Sequence, residues 1–333
     1  MESCGNILDL IGQTPVVEVT GFDTGPCRIF LKLELMNPGG SVKDRIALFM
    51  IEGAEKRGDI RPGDLLVEAT AGNTGLGLAL VAKQKGYRLL LVIPDKMSPE
   101  KVRCCRAMGA EVVMTRSDVG KGHPDYYQDL AQRIATERGA YFVNQFGNPD
   151  NPKAHELSTG PELWAQMGHQ IDAIVLGIGS SGTITGLSAF FRRAAPEMDF
   201  VLADPVGSVL VHYVKTGKLR RAGSWLVEGI GEDFVPSICD LSSIRAAYSI
   251  PDAESFWTAR ALLHRQGVLG GSTTGTLLAA ALRYCREQTK PKRVVTFAAD
   301  TGDRYLSRMY NDDWLREKGL LDAVLEGERA PRG

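Results

Sequence analysis

The chain has no hydrophobic run able to span a bilayer. Its most apolar stretch, residues 89–93, is far shorter than the roughly 20 residues a membrane helix needs. Residues 1–9 carry neither a basic n-region nor an apolar h-region, so a cytoplasmic protein with no membrane partner is expected. Cysteine is scarce as well. The six cysteines, Cys4, Cys27, Cys104, Cys105, Cys239 and Cys285, form no C-x-x-C pair, which excludes a disulfide framework and leaves reduced thiols. The five histidines lack zinc-ligand spacing and there is no C-x-x-C-H haem site, so no metal is expected. An excess of either charge is also missing: 39 Lys and Arg against 40 Asp and Glu give a net charge of -1, and nothing electrostatic calls for nucleic acid. Internal repeats and low-complexity segments are absent. What is present is 44% hydrophobic and 24% charged residues over 333 positions, an ordinary globular composition. Chains of that length commonly divide into two lobes.

The order along the chain is strand then helix, repeated. After a capped helix at Ile7–Leu10, residues 15–20 and 29–35 read as strands. Strand-like residues 65–69, 88–93 and 111–115 then alternate with helical residues 74–85, a helix from Pro99 capped by Ser98, and residues 125–137. Asn148-Pro149-Asp150-Asn151-Pro152 interrupts the alternation and marks a lobe boundary. Beyond it follow a helix over 153–166, a buried strand at 173–176, a helix from Thr183 and a strand at 200–203. A helix capped by Ser272, a strand at 293–298 and a short helix after Asp303 close the chain. Such βαβ units predict an α/β protein with mostly parallel sheets flanked by helices.

Four glycine-rich stretches carry the chemistry. In Asn37-Pro38-Gly39-Gly40-Ser41-Val42-Lys43-Asp44-Arg45, Ser41 and Asp44 make a capping box, so a helix starts near Val42 with apolar positions at Ile46, Phe49, Met50, Gly53 and Ala54. Lys43 lies on that stripe in the first turn. The positive helix end and lost hydration both lower its pKa from ~10.4, favouring the neutral amine that attacks carbonyls. Lysines at helix ends ordinarily snorkel to water, so Lys43 alone decides nothing. Gly177-Ile178-Gly179-Ser180-Ser181-Gly182 fits G-x-G-x-x-G between strand and helix, and Asp204 ends the next strand about where a ribose-binding acid would stand. A nicotinamide enzyme fits this much. The hydroxyls of Ser180, Ser181 and Thr183 suit a terminal phosphate monoester better than a pyrophosphate. Thr70-Ala71-Gly72-Asn73-Thr74-Gly75 is uncharged and rich in donors at a helix start, as a carboxylate site is. Ser272, in Gly270-Gly271-Ser272-Thr273-Thr274-Gly275, reads first as an N-cap.

Taken together and in this order, these motifs resemble the pyridoxal-phosphate β-replacement enzymes of the cysteine synthase and cystathionine β-synthase family. The likeness runs from Gly12-Gln13-Thr14-Pro15 to Asp300-Thr301-Gly302-Asp303-Arg304-Tyr305. It implies a tryptophan-synthase-β-like fold (fold type II) with two α/β lobes around a cofactor cleft, and a homodimer. Residues 1–45 and 150–325 would form the larger, cofactor-binding lobe, residues 46–149 a smaller mobile lobe, and 326–333 a frayed tail. Lys43 would be the Schiff-base lysine for pyridoxal phosphate; Gly179, Ser180, Ser181, Gly182 and Thr183 would hold its phosphate; Asn73 would meet its ring hydroxyl and Ser272 its pyridine nitrogen. Thr70, Ala71, Asn73, Thr74 and Gln145 would surround the substrate carboxylate. A neutral Ser272 hydroxyl makes the ring a weaker electron sink, which favours prompt β-elimination over transamination. Elimination would leave an aminoacrylate, to which a thiol adds.

The sequence departs from the family at three places. Ala71 stands where serine is common, and Ser180-Ser181 where threonine-glycine is common. Glu228-Gly229-Ile230-Gly231-Glu232-Asp233-Phe234 resembles the cystathionine synthase form of this loop, with Glu232 replacing an aromatic. Gly229 and Glu232 are therefore expected at the mouth of the site, meeting a small-molecule amino-acid or thiol substrate. Neither the haem-binding extension nor the regulatory module pair of larger cystathionine synthases is expected.

Overall fold

The computed structural model describes residues 4–70 and 72–329. Ten strands divide between two sheets. The strands are β1 (Val16–Glu18), β2 (Arg28–Lys32), β3 (Leu65–Ala69), β4 (Arg88–Pro94), β5 (Glu111–Thr115), β6 (Tyr141–Phe142), β7 (Ala173–Leu176), β8 (Asp199–Pro205), β9 (Ile244–Ile250) and β10 (Arg293–Phe297). One sheet has the order β1-β2-β10-β7-β8-β9, parallel except for the antiparallel edge pair β1 and β2. The other, β5-β4-β3-β6, is wholly parallel. Parallel strands joined by helical crossovers must be covered on both faces, which is why β4 and β7 read as unbroken apolar runs.

Each sheet has its own core. Ile29, Leu31, Val175, Leu187, Phe191, Leu202 and Val295 belong to the core around the six-stranded sheet, and Ile46, Met50, Leu66, Leu76 and Leu91 to that beside the four-stranded one. The helix Lys43–Arg57 follows a loop of the first sheet and buries its apolar stripe in the core of the second. It ends where Gly58 takes φ 77°, a left-handed turn that glycine adopts without a Cβ clash.

Four local expectations are corrected. Ser41 and Asp44 do not form a capping box; Asp44 Oδ2 instead accepts from Gly39 N at 2.5 Å, folding the loop back under the helix start, and burial pushes its carboxyl up to about 7. Ser98 precedes its helix, Pro99–Ala107, without a capping bond from its side chain. Residues 153–166 are not one α-helix, because a π turn at His155–Thr159 separates Asp150–Ala154 from Gly160–Gln166. Residues 326–328 of the expected frayed tail belong to the helix Leu321–Glu328, whose Val324 is buried, while residues 330–333 lie outside the described residues. Helix Leu210–Thr216, strand β9 and helix Asp252–Gln266 went unread in the sequence. No helix among the described residues is long and apolar enough to cross a membrane.

Candidate active site

A cavity of about 430 Å³ opens where the C-terminal ends of β3, β4, β7 and β10 face one another across the two sheets. In parallel α/β sheets this is the edge where helix N-termini and glycine turns converge on ligands. Lys43, Thr70, Asn73, Thr74 and Gln145 line it on one side, and Gly179, Ser180, Ser181 and Thr183 on another; Gly229 and Glu232 close it from a strap. Gly182 and Ser272 are not among the lining residues, and Ala71 lies outside the described residues.

The Lys43 side chain makes no hydrogen bond or ion pair among the described residues. Burial pulls its ammonium down to about 8, against the opposing pull of Glu232 and Asp300. The expected shift is therefore present, with desolvation as its main cause.

The phosphate loop passes tests that a plain turn would fail. Ser181 holds φ 69°, a strained value for a residue with a Cβ, and so swings the chain into the helix Gly182–Ala194. Its buried hydroxyl finds only the weakly interacting Cys239 sulfur. Asn151 Oδ1 is buried without a partner, although Asn151 Nδ2 donates to Ser180 Oγ at 3.0 Å and to Gln145 O at 2.7 Å. Thr183 Oγ1 sits 3.2 Å from His155 Nε2, and burial, then Arg45 and Lys43, hold that imidazole neutral. Buried polar atoms are normally paired, so the idle Ser181 hydroxyl, a donor beside the free N–H groups of a helix start, describes a place built for an anion, whereas Asn151 Oδ1 can only accept. These residues fit a phosphate.

Asn73 is engaged at both ends of its amide. Its Nδ2 donates to Asp300 Oδ2 at 2.8 Å, and its Oδ1 accepts from Arg304 Nη1 at 2.8 Å. Gln145 is engaged too: Oε1 accepts from Thr74 Oγ1 at 2.7 Å, and Nε2 donates to Ala69 O at 2.9 Å. Gln145 thus orients the Thr70–Thr74 turn from behind. Ser272 begins the helix Ser272–Arg286 and does not cap it; Oγ accepts from Glu228 N at 3.0 Å, and Thr273 Oγ1 donates to Glu228 O at 2.6 Å. Ser272 Oγ is 3.4 Å from Glu228 O, so its proton is only weakly engaged there and can still be donated. We expect Ser272→Ala to leave the buried Glu228 N–H unpaired and to cost about 1–3 kcal/mol of stability, read by denaturant unfolding. An unchanged unfolding midpoint rejects that bond.

Glu232 carries a half-buried carboxyl for which no side-chain hydrogen bond is formed among the described residues. Burial and then Asp233 push it well above the usual carboxylate range, while Lys96 and Lys43 pull the other way. Asp204 points away from the nicotinamide reading: it is buried, outside the cavity lining, and accepts from Val211 N at 3.2 Å. Asp300, Arg304, Asn151, His155 and Thr273 were missed as site residues. Asp300, Arg304 and Thr273 stood in glycine-containing motifs and Asn151 in the interruption at residues 148–152, while His155 carried no such signal.

Residues 7–300 match the family model described as "Pyridoxal-phosphate dependent enzyme". The chain belongs to this family. Pyridoxal phosphate is the cofactor of that family, and the phosphate loop and Lys43 described above accommodate it. Among curated relatives, the cystathionine beta-synthase of Dictyostelium discoideum is 39% identical over 95% of this chain and 64% of its own length. That of Mus musculus is 37% identical over 97% of this chain and 58% of its own. The chain therefore spans about three fifths of those relatives. Among solved structures, the O-acetylserine dependent cystathionine beta-synthase from Helicobacter pylori aligns with a TM-score of 0.85 and 35% identity, over 92% of this chain and 99% of that one. A hydrogen sulfide-producing enzyme from Fusobacterium nucleatum aligns with a TM-score of 0.85 and 34% identity, over 91% of this chain and 100% of that one. The tryptophan-synthase-β-like architecture and the two mostly parallel sheets follow from these likenesses as well as from the strand order.

Proposed function

We propose that this chain catalyses β-replacement on serine or O-acetylserine, adding homocysteine to form cystathionine. The observation that carries the reading is the Lys43 amine, with its pKa near 8, facing the Thr70–Thr74 turn and the Glu228–Asp233 strap across one cavity. Bound pyridoxal phosphate supplies the electron sink that makes a Cα proton acidic. Lys43 Nζ takes that proton as general base; its lowered pKa leaves a sizeable neutral fraction at physiological pH. The β-substituent departs as acetate from O-acetylserine, or from serine as hydroxide that takes up a proton to become water; the thiol gives up its proton as its sulfur bonds to Cβ, which restores the balance, and the proton on Lys43 Nζ returns to Cα. Thr70, Thr74 and the first N–H groups of the helix Asn73–Lys85 hold the carboxylate. A cytoplasmic homodimer with no nucleic-acid partner completes the proposal.

Homocysteine is favoured over sulfide because Glu232 lines the cavity from the strap, where sulfide, with no ammonium or carboxylate, has no use for a further polar group, and because curated relatives carry the cystathionine synthase name. The Glu232 carboxylate would make a charge-assisted contact with the homocysteine ammonium, worth about 1.5–3 kcal/mol where shielded. The upward push on the Glu232 pKa supports a second reading, a cysteine synthase using sulfide, since burial disfavours the charged form that recruits an ammonium. Steady-state kinetics with serine and O-acetylserine against each thiol separate the two. Glu232→Gln should raise the KM for homocysteine by about tenfold or more and leave the sulfide reaction nearly unchanged. A sulfide reaction far more efficient than the homocysteine reaction would reverse the assignment.

A further inference from the structure

Lys101 lies outside every motif singled out in the sequence, in the first turn of the helix Pro99–Ala107 beside the four-stranded sheet. Only 1% of it is exposed. A cation buried at the positive end of a helix is costly unless strong acceptors surround it. Two do, and both come from the opposite side of the cavity. Lys101 Nζ donates to Glu228 Oε2 at 2.8 Å and to Tyr305 OH at 2.8 Å, and it stands 4.5 Å from the centre of the Tyr305 ring.

Each acceptor leads back to the cavity. Glu228 opens the strap, and its backbone is held by Ser272 and Thr273. Its other carboxylate oxygen lies 3.0 Å from Arg308 Nη1. Tyr305 OH donates in turn to Asp300 Oδ2 at 2.5 Å, the oxygen that also accepts from Asn73 Nδ2. The aliphatic stem of Lys101 lies under Gly72, so close that a Cβ on Gly72 would meet Lys101 Cδ at 2.7 Å. One side chain therefore touches the floor of the Thr70–Thr74 turn, the root of the strap and the tyrosine that holds the partner of Asn73.

We propose that Lys101 is a positioning residue that sets the Thr70–Thr74 turn in register with the Glu228–Asp233 strap, so that the carboxylate site and the thiol side of the cavity assemble together. Lys101 borders the cavity, but its ammonium is taken up by Glu228 and Tyr305, and it acts through them. Separation of the two lobes has to break both of its bonds, which makes the closed register depend on them. The inference rests on reading Thr70–Thr74 as the carboxylate turn, and its physical test does not depend on turnover.

Hydrogen exchange on the cofactor-loaded protein reads the coupling directly. Lys101→Met keeps the stem over Gly72 and removes the charge; Glu228→Gln removes the partner charge with little change of shape. Each variant should speed exchange in both residues 70–76 and residues 226–231, segments far apart in the chain, while β7 and β10 stay protected. The double variant should add little to either single one. In steady state, the KM for the amino acid should rise roughly tenfold to a hundredfold, the scale of a misplacement of about 1 Å, with cofactor affinity changed much less. Faster exchange confined to the helix Pro99–Ala107, or additive effects in the double variant, would overturn the proposal. Wild-type protein that turns over no amino acid while both segments still respond would instead overturn the functional reading and leave the positioning role standing.

Discussion

Replacement of Lys43 by alanine is expected to lower β-replacement by about a thousandfold or more, because one amine supplies both the attachment point for the cofactor and the general base. Borohydride reduction of the wild-type enzyme followed by peptide mapping should find the cofactor on Lys43, and attachment to any other lysine rejects the assignment. A second consequence concerns stability without cofactor. The folded-state pKa of about 8 lies below the unfolded value of ~10.4, so below pH 8 the folded protein carries a desolvated charge that the unfolded chain keeps in water. Between about pH 8 and ~10.4 the unfolded state binds more proton, and wild-type stability gains over that window. Lys43→Met should therefore stabilise the cofactor-free protein at pH 7 by on the order of 2 kcal/mol, with the difference shrinking as pH rises past 8. Thermal unfolding at pH 7 and pH 10 checks it, and a destabilised variant at pH 7 contradicts the placement of the amine.

Gly179→Ala is expected to lose cofactor affinity by about a hundredfold, through a backbone clash with little room for relief. A Cβ at Gly179 would stand 2.6 Å from Gly229 O, and neither partner is a flexible side-chain end. Gly229 and Gly231, at φ 94° and 88°, give the strap its double turn, and Gly231 N donates to Ile178 O at 2.8 Å. The strap and the phosphate loop are thus laced backbone to backbone, and a methyl group must push them apart. Titration of the cofactor-free protein, followed by visible absorbance, measures the loss. Affinity within threefold of wild type would show that the two loops do not need this contact.

The βαβ rhythm was legible wherever the signal was local. β3, β5 and β7 fall within the residues expected for them, because an apolar run bounded by glycine and polar turns constrains a short strand tightly. β9 escaped notice because its residues are mostly half-buried at a sheet edge, so no clear alternation or apolar run marks it. The π turn at His155–Thr159 follows from close packing, with Gly186 fitted against Pro152 O and His155, and nothing in a single helical pattern announces that neighbour. The capping box failed for a similar reason. Ser41-x-x-Asp44 has the local spacing, yet Asp44 finds a stronger call on its oxygen from Gly39 N when the loop folds back.

By itself the sequence determined the alternation of strand and helix, the glycine turns at strand ends and the lysine in a helix first turn, since these depend on backbone sterics and spacing over a few residues. The tertiary structure alone decided which of these meet. Asn73 reaches Asp300 across 227 positions, Lys101 reaches Glu228 across 127 and Tyr305 across 204. The directions in which the Lys43 and Glu232 pKa values move were decided there too. A pKa in the interior is set by the water a group loses and by the charges brought beside it, and both are properties of the packed fold.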